Sequence, residues 1–323
     1  MIYEKDSSAN TWKTVEEEYS MENKILQTSE QKPEQKPEQK PEQKPEQKPG
    51  KVGNFFFCLG VVAAMVGVQF IVIVGGMLPV AISFRMKHME LGVAEYMEAY
   101  TEFLTTSSVM TWMELIAVIV CLVVAGIWYY LGFVKKEKKE GRYESVWPKL
   151  KNVKGGLFIL TGAGACFFVG ALLQLGVESL FPDTAEMLEQ NLNLALGGNA
   201  VVGFIAAVLL APIQEELVMR GIILQHSKRV HGIVGCMILS ALFFGLYHLN
   251  IIQGIYVIPM GLFWAFAGYK YNSVVPCMIC HMLNNLLGMT IGNLLEPAVN
   301  IPVYAGMALV CGVLMVVTGR QTR

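Results

Sequence analysis

The sequence predicts an all-α, polytopic integral membrane protein of about eight transmembrane helices, preceded by a disordered N-terminal tail. Three observations carry that expectation. Of 323 residues, 54% are hydrophobic and only 16% charged, against about 25% charged in soluble domains. From Asn54 onward, apolar runs recur at close to the roughly 20 helical residues that cross a bilayer core. The basic residues between those runs fall on alternate loops, as the enrichment of Lys and Arg in cytoplasmic loops requires.

Residues 1–50 are polar and contain four copies of QKPE at 31–46, followed by QKPG. Proline at every fourth position forbids a stable helix, and the segment has too little apolar surface to offset its ordering entropy. It is expected to be a disordered cytoplasmic tail, partly polyproline-like, reaching roughly 60 Å over its twenty-residue repeat at about 3.1 Å per residue. No apolar core follows the first residues, so no cleavable signal peptide is expected.

Residues 51–323 form the expected transmembrane domain. The first two spans fall at about 54–84 and 109–134, and the third at about 155–180. The remainder, 199–318, is almost continuously apolar and divides at 227–231, 250–254, 270–273 and 293–300, which makes eight spans. The 135–154 loop carries eight Lys and Arg, which places it in the cytoplasm. Alternation then puts Lys48, Lys51, Lys228, Arg229, Lys270, Arg320 and Arg323 on the same side, together with both termini. The outside loops carry Glu90, Glu95, Glu98, Glu102, Asp183, Glu186, Glu189 and Glu296, with Arg85 and Lys87 as exceptions. A multi-pass plasma-membrane protein is the expectation. The outside segments 94–108 and 183–197 are polar or amphipathic and are candidates to cover a cavity.

A formal net charge of -1 and the lack of a basic groove with interleaved aromatics argue against a nucleic-acid partner. Seven cysteines are an odd number, mostly set singly in apolar runs, which argues against a disulfide framework. One local pattern competes for attention: PCMICH, from Pro276 to His281, has the CxxCH spacing of covalent haem attachment. On this topology it lies near the cytoplasmic face, where haem is not attached, so a role in helix packing is preferred.

An ionisable side chain inside a spanning helix costs a few kcal/mol to insert, so each one is a functional candidate. Span four contains APIQEELVMRGII, with Glu215, Glu216 and Arg220. Glu216 and Arg220 are four apart on one face and can pair, as a snorkelling ion pair would. Glu215 is rotated about 100° away and has no partner in its own helix. Span five ends SALFFGLYHLN, with Phe244 and His248 one turn apart, and span seven supplies His281, Asn284 and Asn285. A lone histidine in an apolar helix is usually a packing residue. Glu, His, His and Asn from three spans around one pocket are a hydrolytic set: a carboxylate deprived of water is a stronger base, imidazoles hold water or a metal, and an amide donates to an oxyanion. Counted along the sequence, depth fits poorly: Glu215 lies about nine residues, roughly 13 Å, from the end of span four, and His248 about seventeen, roughly 25 Å, into span five. Span five would have to start early or tilt.

EExxxR at Glu215, Glu216 and Arg220, FxxxH at Phe244 and His248, and HxxxN at His281 and Asn285 resemble the three signature motifs of the CPBP intramembrane proteases. That family includes the Ras-converting CAAX endopeptidase and bacterial Abi-type bacteriocin-immunity proteins. The resemblance covers about residues 199–293, the expected catalytic core. It implies an eight-helix fold and an endopeptidase in which Glu215 activates water with help from His248. His281 and Asn285 stabilise the oxyanion, and Glu216 and Arg220 hold the geometry. The implied substrate is a membrane-associated peptide or lipidated protein at the lipid bilayer.

There is no HExxH, although two His and one Glu are a donor set for zinc that leaves a water position open. Metal-free, Glu-dependent hydrolysis is preferred. No serine in a GxSG setting and no pair of intramembrane aspartates supports other protease chemistries. Two rival functions belong to different classes: a non-catalytic membrane immunity factor or scaffold binding a peptide in the same polar cavity, and a transporter with a Glu–His proton relay. No inverted repeat supports the transporter.

Overall fold

The computed structural model describes residues 3–5, 12–14, 50–291 and 297–320. The QKPE repeats, read above as disordered, lie outside those residues. The chain divides into two units, Met1–Gln47 and Lys48–Arg323. In the first, β1 (Tyr3–Lys5) and β2 (Trp12–Thr14) pair antiparallel, with Tyr3 opposite Thr14 and Lys5 opposite Trp12. Composition alone does not foresee that short ladder.

The described residues of the second unit build only helices: α1 (Lys51–Lys87), α2 (Val93–Thr106), α3 (Val109–Lys139), α4 (Trp147–Lys151), α5 (Val153–Leu180), α6 (Pro182–Leu196), α7 (Ala200–Ser227), α8 (Ile233–Tyr247), α9 (Ile251–Tyr271), α10 (Val275–Ile291) and α11 (Pro297–Arg320). All eight expected apolar segments are helical. Six of them, α1, α3, α5, α7, α9 and α11, are long and apolar enough to cross a membrane, whereas α8 and α10 have 15 and 17 residues and are shorter. Helices satisfy their backbone hydrogen bonds internally, which is the condition for residing in lipid. Outward-facing side chains are apolar over long stretches, including Phe70, Ile71, Leu78 and Ile82 on α1 and Leu309, Val310, Val313 and Val317 on α11. Faces this apolar mark a surface for lipid rather than water, and the protein is a membrane protein.

Side-chain caps hold the helix starts that matter for the site. Asn199 Oδ1 accepts from Val202 N at 3.1 Å at the head of α7, and Asn250 Oδ1 accepts from Ile252 N and Gln253 N at 2.9 and 3.2 Å at the head of α9, which occupies otherwise orphaned N–H groups. Small residues set the closest approaches. Gly162 and Gly170 of α5 leave room for Phe263 and Met260 of α9, the packing by which membrane helices associate without a hydrophobic drive between them. The core gathers Val218, Met219, Ile222, Phe244, Trp264 and Cys277 from α7, α8, α9 and α10.

Two turns of α7 widen to π-helical hydrogen bonding, at Ile205–Leu210 and Leu217–Ile223, flanking the Glu215–Glu216 pair. The cause of the first is local. Ala211 N–H bonds back to Ala206 O, and Pro212 has no N–H to offer the next carbonyl. Ala207 O is thereby freed for a side chain.

Candidate active site

The observed helix bounds narrow the depth mismatch, and α8 starts later than expected rather than early. Helix α7 runs to Ser227 and α8 begins at Ile233. Glu215 is twelve residues from the end of α7, about 18 Å, and His248 fifteen residues beyond the start of α8, about 22 Å. The two run back along each other, and Gln214 Nε2 reaches Tyr247 Oη at 3.2 Å. Helix α8 stops at Tyr247, and the chain turns through Leu249 at φ 51° before α9 begins. His248 is therefore held in a turn rather than in the middle of a span.

Glu216 and Arg220 form the expected pair, with Arg220 Nη1 donating to Glu216 Oε1 at 2.9 Å and both side chains fully buried. Two burdens of burial are met by other elements. Arg220 Nη2 donates to Gly261 O at 2.8 Å, and its guanidinium lies over the rings of Phe244 and Trp264, at 4.8 and 5.5 Å from their centroids. His281 Nδ1 lies 3.0 Å from Glu216 Oε1; since a carboxylate accepts, Nδ1 carries the proton in that contact. The ring is stacked on Trp264 at 4.3 Å between centroids and meets the edge of Phe244 at 5.6 Å. Glu216 therefore fixes His281 as well as Arg220, and Phe244 contacts Arg220, His281 and His248.

Glu215 has a different environment. Its Oε2 is 3.8 Å from His281 Nε2, too far for a direct hydrogen bond. Glu215 Oε2, His248 Nε2 and Asn284 Oδ1 are buried without a hydrogen-bond partner among the described residues. All three residues line one cavity of about 470 Å³, together with His281 and Asn285. Trp264 Nε1 is a fourth such atom in the lining, and since buried polar atoms are normally satisfied, these orphans mark a place built for water or substrate. Asn285 Nδ2 donates to Ala207 O at 2.9 Å, the carbonyl that Pro212 leaves free, and Asn284 Nδ2 donates to Asn285 Oδ1 at 3.2 Å. One amide hydrogen of Asn285 is thus committed to structure.

The cavity wall includes residues that the motifs do not contain. Leu192, Ala195 and Leu196 of α6 line it, so the 183–197 segment does cover the site. The 94–108 segment does not. Helix α2 instead packs Tyr96, Tyr100 and Phe103 on Phe84 of α1. Gln69 and Glu114 also line the cavity, with Gln69 Nε2 donating to Glu114 Oε1 at 3.1 Å. Glu114 sits in a spanning helix, so the rule that singled out Glu215 would have found it. Gln214, Tyr247 and Trp264 carry no such sequence signal.

Zinc does not fit these residues: among the described residues no three His, Cys, Asp or Glu side chains are grouped to hold a metal ion. Haem attachment fares no better. Cys277 and Cys280 are buried, their thiols face Trp264 O at 3.0 Å and Ile159 O at 3.7 Å, and His281 is bound to Glu216. All seven cysteines are free.

Fold and site together define a helical membrane protein with carboxylate, imidazole and amide groups around an internal cavity. Residues 197–287, which contain all three motifs, match the family described as Type II CAAX prenyl endopeptidase Rce1-like. No curated protein and no solved structure matches the chain.

Proposed function

We propose that the protein is an intramembrane endopeptidase that cleaves a membrane-associated peptide or lipidated protein with water activated by Glu215. One observation carries this reading: Glu215 Oε2 and His248 Nε2 are both buried, unpartnered and turned to the cavity that His281 and Asn285 share. Glu215 takes a proton from water, whose oxygen attacks the peptide carbonyl carbon while His248 orients it. The second amide hydrogen of Asn285 is a donor for the developing oxyanion, joined by His281 Nε2–H when the ring carries a proton on both nitrogens, its Nδ1–H held by Glu216. Collapse of the tetrahedral intermediate breaks the C–N bond, and the proton on Glu215 passes to the leaving amine. Glu216 and Arg220 act by positioning. The protein is a multi-pass protein of the plasma membrane with both termini cytoplasmic, a placement supported by the Lys and Arg distribution.

The test is cleavage of membrane-associated peptides by the purified chain in proteoliposomes. Glu215→Gln keeps the volume and removes the base, so the rate should fall about a thousandfold while the detergent-solubilised protein elutes and melts as the wild type does. Retention of cleavage by this variant would remove Glu215 from the reaction. A chelator should leave the wild-type rate unchanged; loss restored by zinc would replace this mechanism with a metal-dependent one.

A further inference from the structure

The cavity is lined by a second carboxylate that the hydrolytic reading does not use. Glu114, in the second turn of α3, accepts from Gln69 of α1 at 3.1 Å, and both line the same cavity as Glu215. Apolar side chains, among them Val66, Phe70, Val118 and Leu196, line the same cavity. A carboxylate inside a spanning helix is costly, and one neutral amide donor does not balance its charge. No Lys or Arg is among the lining residues, and Arg220 is committed to Glu216 and Gly261. The described lining therefore holds two carboxylates, Glu114 and Glu215, and neither Lys nor Arg. A side chain that complements such a wall has an apolar stem and a positive head, which describes lysine and arginine.

We propose that Glu114, held by Gln69, selects substrates that place a lysine or arginine side chain in this cavity beside the scissile bond. The inference rests on the proteolytic reading of the site. Its test uses membrane-associated peptides identical except for Lys, norleucine or Glu at successive positions around the cleaved bond, with the full chain in proteoliposomes. At one position the wild type should favour Lys over norleucine in kcat/KM by about tenfold to a hundredfold. Glu114→Gln should bring that ratio close to one, and Glu114→Lys should shift preference toward Glu. Should Glu114→Lys fail to fold, Gln69→Met is the second variant: it leaves the charge, loosens its position and should lower the ratio without abolishing it. A wild-type ratio near one at every position, or a ratio unchanged in Glu114→Gln, overturns the proposal. Peptide affinity for Glu215→Gln, measured by fluorescence, separates the two readings. If no peptide is cut but Lys peptides bind more tightly than norleucine ones and lose that advantage in Glu114→Gln, proteolysis fails and the cation site stands.

Discussion

Arg220 is where single side chains do most to hold the site. Its guanidinium donates to Glu216 Oε1 and the Gly261 carbonyl at once and lies over two rings, which a planar fork can do and an ammonium cannot. Removing one member of a fully buried ion pair leaves the other uncompensated, at a cost of about 3–5 kcal/mol. Arg220→Ala should therefore lower the melting temperature in detergent sharply and abolish cleavage. Arg220→Lys should recover part of the stability and little of the activity. A melting temperature unchanged in Arg220→Ala would mean that the pair does not organise the site. The i, i+4 spacing made the Glu216–Arg220 contact legible in the sequence. That His281 joins the same carboxylate was not, because its helix is 65 residues away along the chain.

At the scale of elements, the α8–α9 hairpin fixes His248. A Cβ added at Gly245 would come within 2.6 Å of Gly254 O, a backbone atom that cannot rotate away. Gly245→Ala should force α8 and α9 apart by several tenths of an ångström and shift both Phe244 and His248. Cleavage should fall at least about tenfold, since misplacements of this order cost that much, with a lower melting temperature as a second readout. Equal activity in the variant would show that the hairpin tolerates the separation. Hydropathy marked α8 as an apolar helix but not where it stops. The stop depends on the turn at Leu249 and the cap at Asn250, which read as ordinary loop residues until their partners are known. The π-helical turns are similar: Pro212 was visible, but that the freed Ala207 carbonyl meets Asn285 was not.

At the scale of the molecule, long apolar faces among the described residues contrast with the strongly basic 135–154 segment, whose residues are largely exposed. If that segment is cytoplasmic, a cysteine at the exposed Ser145 position should react with a membrane-impermeant maleimide only after cells are permeabilised. Labelling of intact cells would invert the topology. Six native cysteines are buried and Cys311 is half-buried, so the protein lacking Cys311 is the proper background.

Taken alone, the sequence determined that residues 51–323 are rich in apolar helices, which helices carry Glu215, Glu216, Arg220, His281 and Asn285, and that His248 lies near the end of another. Hydropathy and residue spacing are local properties, written wherever the chain is read. Only the tertiary structure decided that His281 answers to Glu216 and approaches Glu215, that His248 sits at the end of a short helix, and that Glu114 shares their cavity. Those relations depend on how distant helices pack, and packing depends on close approaches at Gly162, Gly170 and Gly245 that no residue specifies by itself.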